Sequence, residues 1–167
     1  MKYKALFLFL VFTNLCFTQK KEFNFVILVD GEVVKYTNGK ILIETINNTS
    51  DIIKCNIIAG ELNINESDSI KLFSKSNSKI IFEFGYSKRC GEDVKYYNYI
   101  IDDFKMSWLN DGFFILYVYN TDNKKYRKIY NSLAGKNYTY EYDSSIGSMR
   151  RMQKRKTKEQ KECEYKE

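Results

Sequence analysis

Short runs of β-branched and aromatic residues alternate along this chain with turn residues, at intervals of roughly ten residues. The pairs Asp30-Gly31 and Asn38-Gly39 are typical of two-residue hairpin turns. Short strands are predicted over 69–73 and 125–130, among others. No stretch shows the long helical period that the crossovers of a parallel α/β fold require. The pattern therefore predicts an all-β fold, an antiparallel β-sandwich of roughly eight to ten strands, with a charged C-terminal tail or helix.

At the level of the fold, this pattern resembles immunoglobulin-like or transthyretin-like sandwiches. The segment 36–43, Tyr-Thr-Asn-Gly-Lys-Ile-Leu-Ile, is similar to the Asn-Gly turn and strand of transthyretin-like modules found beside carboxypeptidases. True immunoglobulin domains order their signature residues Cys, Trp, Cys. Here Trp108 follows both Cys55 and Cys90, so the sequence does not support that specific family.

The N-terminus has the order of a secretory signal peptide. A basic segment ending at Lys4 precedes an apolar run over 5–12, and Cys16 and Thr18 occupy the small-residue positions before a cleavage at Gln19. The apolar run is shorter than the roughly 20 residues of a transmembrane helix. We therefore predict a signal peptide over 1–18 and a β-sandwich domain over 19–148. An uncleaved strand or anchor, or lipidation at Cys16, are the alternatives.

The leader ends in Phe17-Thr18-Gln19-Lys20, and the body that follows is rich in Lys, Asn, Ile and Tyr. In both respects the chain resembles many small exported proteins of Bacteroidetes-type bacteria. The resemblance implies an exported protein that is periplasmic, on the cell surface or secreted, and it implies no defined activity.

The formal charge of +6 is concentrated at the two ends of the chain. Residues 149–167 contain eight basic and four acidic residues, whereas 22–148 contain fifteen basic and seventeen acidic residues. The body is therefore not a basic nucleic-acid platform, and no nucleic-acid partner is predicted. We expect 149–167 to be a charged, solvated tail, helical or disordered; the alternative is that it contacts an anionic envelope surface. Its basic residues are Arg150, Arg151, Lys154, Arg155, Lys156 and Lys158.

The absence of histidine excludes imidazole bases, Ser-His or Cys-His pairs and imidazole-ligated metals. The tandem carboxylates Glu92-Asp93 and Asp102-Asp103 do not form acid–base pairs, because adjacent strand residues face opposite ways. The segment 120–123, Asn-Thr-Asp-Asn, does not have the spacing of a helix–loop–helix calcium loop. We therefore predict no catalytic residue, no metal and no cofactor.

Export would leave three cysteines in an oxidising compartment, so at most one internal disulfide can form. Cys55 lies in an apolar run and is expected to be buried. Cys90 and Cys163 are the predicted pair, joining the tail to the body. The alternative is that Cys163 is an exposed thiol that pairs between molecules.

Two aromatic strands are candidates for the core or for a ligand face. In 113–119 both faces are apolar, which predicts a central strand buried on both sides. Tyr138, Tyr140 and Tyr142 alternate with polar residues and form one aromatic face. That face either packs on the core or binds a ligand, because tyrosine combines a flat apolar ring with a polar tip. The same two alternatives apply to Tyr96, Tyr97, Tyr99 and Trp108.

These observations favour an exported, non-enzymatic β-sandwich protein that binds a protein or an envelope component. The alternative from another class is a carbohydrate-binding module or small glycan-acting enzyme that uses the row Tyr138, Tyr140 and Tyr142. An immunity or inhibitor protein would have the same sequence features as the first hypothesis.

Overall fold

The computed structural model describes residues 20–44, 50–73, 79–110 and 112–154. The described part of the chain forms ten strands and three short helices. The strands are β1 (Lys20–Val29), β2 (Glu32–Val33), β3 (Tyr36–Glu44), β4 (Ser50–Ile58), β5 (Glu61–Asn65), β6 (Lys79–Cys90), β7 (Asp93–Phe104), β8 (Phe114–Asn120), β9 (Tyr138–Ser144) and β10 (Gly147–Met149). The helices are α1 (Glu66–Phe73), α2 (Ser107–Asn110) and α3 (Lys124–Arg127).

About 62% of the described residues lie in strands, which confirms the all-β prediction. The described strands form one curled sheet, a half-barrel, rather than two clearly separate stacked sheets. The strand order is β10-β9-β8-β1-β5-β4-β3-β6-β7, and β2 pairs with β1 beside this path. Its described pairings are antiparallel except for the parallel pairing of β1 with β8.

The strand β1 joins the two arms of the sheet. Its first half, 20–24, pairs with β5, and its second half, 25–29, pairs with β8. Phe23, Phe25, Ile27 and Val29 are all buried, as expected for one face of a strand with a period of two. Asp30-Gly31 then forms the predicted two-residue turn to β2, with positive φ at both residues. This hairpin prediction is confirmed.

Aromatic rings fill the concave side of the sheet. Phe25 of β1 packs edge-on against Phe82 of β6 at 5.4 Å between ring centroids and stacks on Phe114 of β8 at 4.9 Å. Trp108 of α2 is buried and also stacks on Phe114, at 4.5 Å between ring centroids. These contacts connect β1, β6, β8 and α2 in one core, so the two arms of the sheet belong to a single folding unit.

Side chains join β7 to β9 and close the open side of the half-barrel. The Tyr138 hydroxyl accepts a hydrogen bond from the Ile100 N–H (2.7 Å) and donates one to the Ile100 carbonyl (2.9 Å). Lys136 donates to the same carbonyl (2.9 Å) and forms an ion pair with Asp102. Tyr140 donates to Asp103. We call this set of contacts the seam; in it, one tyrosine hydroxyl satisfies both backbone groups of Ile100 in place of a neighbouring strand.

Three local predictions differ from the structure. The pair Asn38-Gly39 lies within β3 and makes no turn, so the transthyretin-like turn is absent there. The predicted strand over 69–73 is part of the helix α1, which has Glu66 and Asp68 in its first turn, where carboxylates favour a helix. The predicted strand over 125–130 instead contains α3, whose N-cap Asn123 accepts a hydrogen bond from Lys125.

The packed body continues to Lys154 rather than ending at Ser148. Met149 belongs to β10, the Arg151 N–H donates to Glu141 (2.9 Å), and Gln153 forms an isolated bridge with Tyr130. We call residues 149–154 the C-terminal strap. These six residues are neither helical nor detached, unlike the predicted tail. In the described part of the chain, no helix has the length and apolar character needed to cross a lipid bilayer.

Candidate ligand-binding face

The convex surface of β4, β3, β6 and β7 carries aligned rows of side chains, one residue from each strand. We call this surface the outer face. Strand registers set the rows: Asn38 lies opposite Asn56, and Gly85 lies opposite Asn98. The β3–β6 ladder ends at the Gly39–Phe84 pair, and its continuation places Asn38 beside Gly85. The rows therefore run across the strands at about 4.8 Å per strand.

The first row contains two exposed tyrosines. Tyr36 of β3 and Tyr96 of β7 are 63% and 81% exposed, and the small Ser87 of β6 lies between them. The Tyr36 hydroxyl donates a hydrogen bond to the Asn38 side chain (3.1 Å), which helps to fix the orientation of that ring. Two strand spacings separate the tyrosines, about 10 Å between strand axes. Exposed rings held on a rigid sheet are suited to stacking with a ligand.

The second row consists of asparagines. The row crosses β5, β4, β3, β6 and β7 in that order, and its residue on β6 is Gly85 rather than an asparagine. Its amide residues are Asn63, Asn56, Asn38 and Asn98. Each side-chain amide offers donors and an acceptor at one end of a short side chain. Asn63 is buried and donates to the Glu61 carbonyl, so the hydrogen-bonding groups that the row presents are those of Asn56, Asn38 and Asn98.

A shallow groove runs over Gly85. Two depressions of about 260 and 320 Å³ meet at Asn38 and Gly85. Beyond the end of the β3–β6 ladder, Thr37 bridges the strands by donating to the Gly85 carbonyl (2.5 Å). A Cβ added at Gly85 would meet only the Tyr97 carbonyl oxygen, at 4.0 Å. The missing side chain at Gly85 therefore opens the groove, and packing does not require it.

The third row is charged. Lys40 of β3 forms an ion pair with Glu83 of β6 at 2.7 Å, and Lys54 of β4 lies opposite Lys40. Arg89 of β6 is exposed beyond the tyrosine row. The groove and its borders thus combine aromatic rings, amides and an excess of positive charge.

Comparison with protein-family models, curated proteins and solved structures finds no match to this chain.

The row Tyr138, Tyr140 and Tyr142, a candidate ligand face from the sequence, belongs to the interior. Tyr138 and Tyr140 are 4% and 3% exposed, because the seam to β7 covers them, and Tyr142 packs on Trp108 at 4.5 Å. Burial raises the pKa of the Tyr140 hydroxyl, and its hydrogen bond to the Asp103 carboxylate raises it further. The core alternative for this row matches the structure, and the ligand-face hypothesis for it is corrected.

The basic residues of the C-terminal strap contact the body. Arg150 forms an ion pair with Asp143 at 2.7 Å, and its hydrogen bond holds the pKa of that carboxyl below its usual value. Arg151 lies over the Tyr140 ring at 5.1 Å. The Lys154 ammonium donates to the Arg127 carbonyl at 3.3 Å. The other predicted members of the basic tail, Arg155, Lys156 and Lys158, lie outside the described residues.

Of the predictions for the cysteines, the structure describes only the side chain of Cys55. Cys55 is free and buried beneath β3, and burial raises the pKa of its thiol to about 12, so it is not an activated nucleophile. The predicted Cys90–Cys163 bridge lies outside the described residues, as does the signal peptide over 1–18. No group of three or more acidic or cysteine side chains suited to a metal ion occurs within the described ranges.

Sequence reasoning singled out Tyr96 but missed Tyr36, Asn38 and Gly85. The reason was local: Asn38-Gly39 was interpreted as a turn, which ended the strand before its pattern became apparent. The signal was nevertheless present, because 36, 38 and 40 are aromatic or polar while 37, 39, 41 and 43 are small or apolar. This alternation indicates one continuous strand with an exposed face.

Proposed function

We propose that this chain is an exported, non-enzymatic protein that binds a component of the cell envelope on its outer face. The groove between Tyr36 and Tyr96 carries the proposal. Tyrosine, serine, glycine and asparagine surround it, and these residues give large rigid contact area and adaptable hydrogen bonding at low cost in side-chain entropy. Export itself is supported by the signal-peptide pattern of the leader.

At the level of architecture, we propose a distant relation to β-sandwiches. The two arms of the curled sheet face each other across one core, as the sheets of immunoglobulin-like and transthyretin-like domains do. The relation concerns this layering and implies no shared ligand.

The number of carboxylate groups in the groove favours binding of a ligand over its hydrolysis. A glycosidase needs two carboxyl groups about 5 to 9.5 Å apart. Glu83 is the single carboxylate among the described residues that line the groove, and it forms an ion pair with Lys40. Asp102 and Asp103 are likewise engaged with Lys136 and Tyr140 in the seam. A small glycan-acting enzyme is therefore the weaker alternative.

Cosedimentation with washed envelopes of a Bacteroidetes-type bacterium tests the proposal. The double variant Tyr36→Ala/Tyr96→Ala should lose most of the retained protein, because both rings are exposed and their removal leaves the core unchanged. The control is Ile146→Ala, which removes an equally exposed apolar side chain from the β9–β10 turn. Equal retention of the double variant and the control would refute binding at this face.

A further inference from the structure

The spacing of the tyrosines suits a chain of sugar rings. Tyr36 and Tyr96 occupy one row of the outer face, two strands apart, and two strand spacings are about 10 Å. This is close to the length of a disaccharide unit in an extended glycan. Alternate sugar rings of one chain would therefore lie over the two tyrosines, with the ring between them above Ser87.

The asparagine row has a matching repeat. Across β3, β6 and β7 its amides Asn38 and Asn98 stand two strands apart, about 10 Å, which is the spacing of the two tyrosines. Side-chain amides donate and accept hydrogen bonds, as sugar hydroxyls also do. A glycan lying across β3, β6 and β7 would meet Asn38 at one sugar residue and Asn98 two sugar residues further on, with Gly85 between them. An extended peptide offers side chains of varying size instead, and would not use this regular repeat.

The gap at Gly85 lets a polymer lie close to the sheet. Asn38 and Asn98 flank it, and the Cβ position of Gly85 is open. Any side chain there would stand in the centre of the row and hold a ligand away from the amides. Glycine weakens a strand interior, so its presence at an unpacked position is consistent with close approach of a ligand.

The charges select among glycans. Lys40 and Lys54 line the groove against the single carboxylate Glu83, and Arg89 is exposed on the other side of the tyrosine row. Cations therefore flank the rings and amides on both sides. A glycan with complementary charge would carry carboxylate groups on its sugar residues.

We propose that the ligand of the outer face is a linear acidic glycan, a polymer of uronic acid residues that lies across β3, β6 and β7. Tyr36 and Tyr96 stack on alternate sugar rings, Asn38 and Asn98 bind hydroxyl groups, and Lys54 and Arg89 attract the carboxylates. This inference rests on the proposed function, because it names the ligand class of the same groove.

Matched polymers provide the direct test. Isothermal titration of the protein covering 19–167 should detect binding to β-1,4-linked polymannuronate or to α-1,4-linked polyguluronate or polygalacturonate, and weaker binding to neutral β-1,4-mannan, the uncharged match of polymannuronate. Tyr96→Ala should weaken binding by about tenfold, whereas Tyr96→Phe, which keeps the ring, should stay within about twofold of the parent. Gly85→Val should abolish binding without loss of stability, since its side chain enters open space. Lys54→Gln should reduce both the affinity and its dependence on salt.

Envelopes treated with periodate or with protease distinguish an error in this inference from an error in the proposed function. Periodate oxidation, which destroys sugar diols, should abolish cosedimentation, whereas protease treatment should leave it unchanged. Loss after protease alone would indicate a protein ligand at the same face, and would overturn the acidic-glycan inference while the proposed function stands. Mannan binding as tight as that of every uronate polymer would also overturn the inference. Unchanged retention of Tyr36→Ala/Tyr96→Ala would overturn both.

Discussion

Gly39 and Gly85 lie on adjacent strands, and substituting each with alanine should change stability in opposite directions. At Gly39 an added Cβ would lie 3.0 Å from the Cys55 Sγ, 3.0 Å from the Glu83 carbonyl oxygen and 3.1 Å from Phe82 Cε2. At Gly85 the nearest atom would be 4.0 Å away. Neither glycine has a positive φ, so alanine adopts both backbone conformations without strain.

The expected magnitudes follow from these contacts. Replacing glycine by alanine at a compatible position stabilises a protein by about 0.4 to 1 kcal/mol through the unfolded chain. Overpacking a filled core costs about 1 to 3 kcal/mol. Gly85→Ala should therefore raise the free energy of unfolding by about 0.4 to 1 kcal/mol. Gly39→Ala should lower it by about 0.5 to 2 kcal/mol, since one contacting atom belongs to the backbone and moves little.

Urea unfolding followed by the fluorescence of Trp108 measures both changes. The indole is buried and stacked on Phe114, so its emission reports loss of the core. The two variants control for each other, because each replaces a glycine of the same sheet by the same residue. If Gly39→Ala were as stable as Gly85→Ala, the explanation of Gly39 as a close contact between β3, β4 and β6 would be wrong.

Three further predictions concern the seam and the C-terminal strap. Tyr138→Phe removes both hydrogen bonds to Ile100, so it should cost about 1 to 3 kcal/mol and speed exchange of the Ile100 amide, while Tyr96→Phe should change neither. Arg150→Gln should lower stability by no more than about 1 kcal/mol at neutral pH, because the ion pair is partly exposed. Because folding lowers the pKa of the Asp143 carboxyl, the stabilisation by this ion pair is present above about pH 4 and is lost as the pH falls through the pKa of the folded protein. A difference in melting temperature between Arg150→Gln and the parent that persists in acid would contradict this assignment. A chain that ends at Ser148 should be less stable than one that ends at Lys154 by at least about 2 kcal/mol in urea unfolding, because the buried Glu141 loses the Arg151 N–H; equal stability of the two would contradict this role of the strap.

The parts of the fold that depend on local pattern were predictable. The Asp30-Gly31 turn joins neighbouring strands, and its backbone preference decides the structure there. The same signal failed at Asn38-Gly39, because contacts with β4 and β6, distant in the sequence, hold the pair extended. Short apolar runs such as 69–73 fit a helix and a strand equally well, and the period alone does not separate them.

The candidate site depends on strand order, which the sequence does not specify. Tyr138 and Tyr140 have the alternation of an exposed aromatic row, and only the approach of β7 buries them. Tyr36 and Tyr96 are sixty residues apart, and the order β3-β6-β7 brings them into one row. Which aromatic face is covered is therefore a property of the sheet as a whole.

The division of β1 between two partners also governs when this molecule can finish folding. Among the described strands β1 is synthesised first, yet its second half waits for a parallel neighbour that begins at Phe114. Pairing over such a long loop is slow, because closure entropy precedes any gain from contacts. The described sheet therefore remains incompletely folded until most of the chain has been made, and this delay would favour the export proposed above.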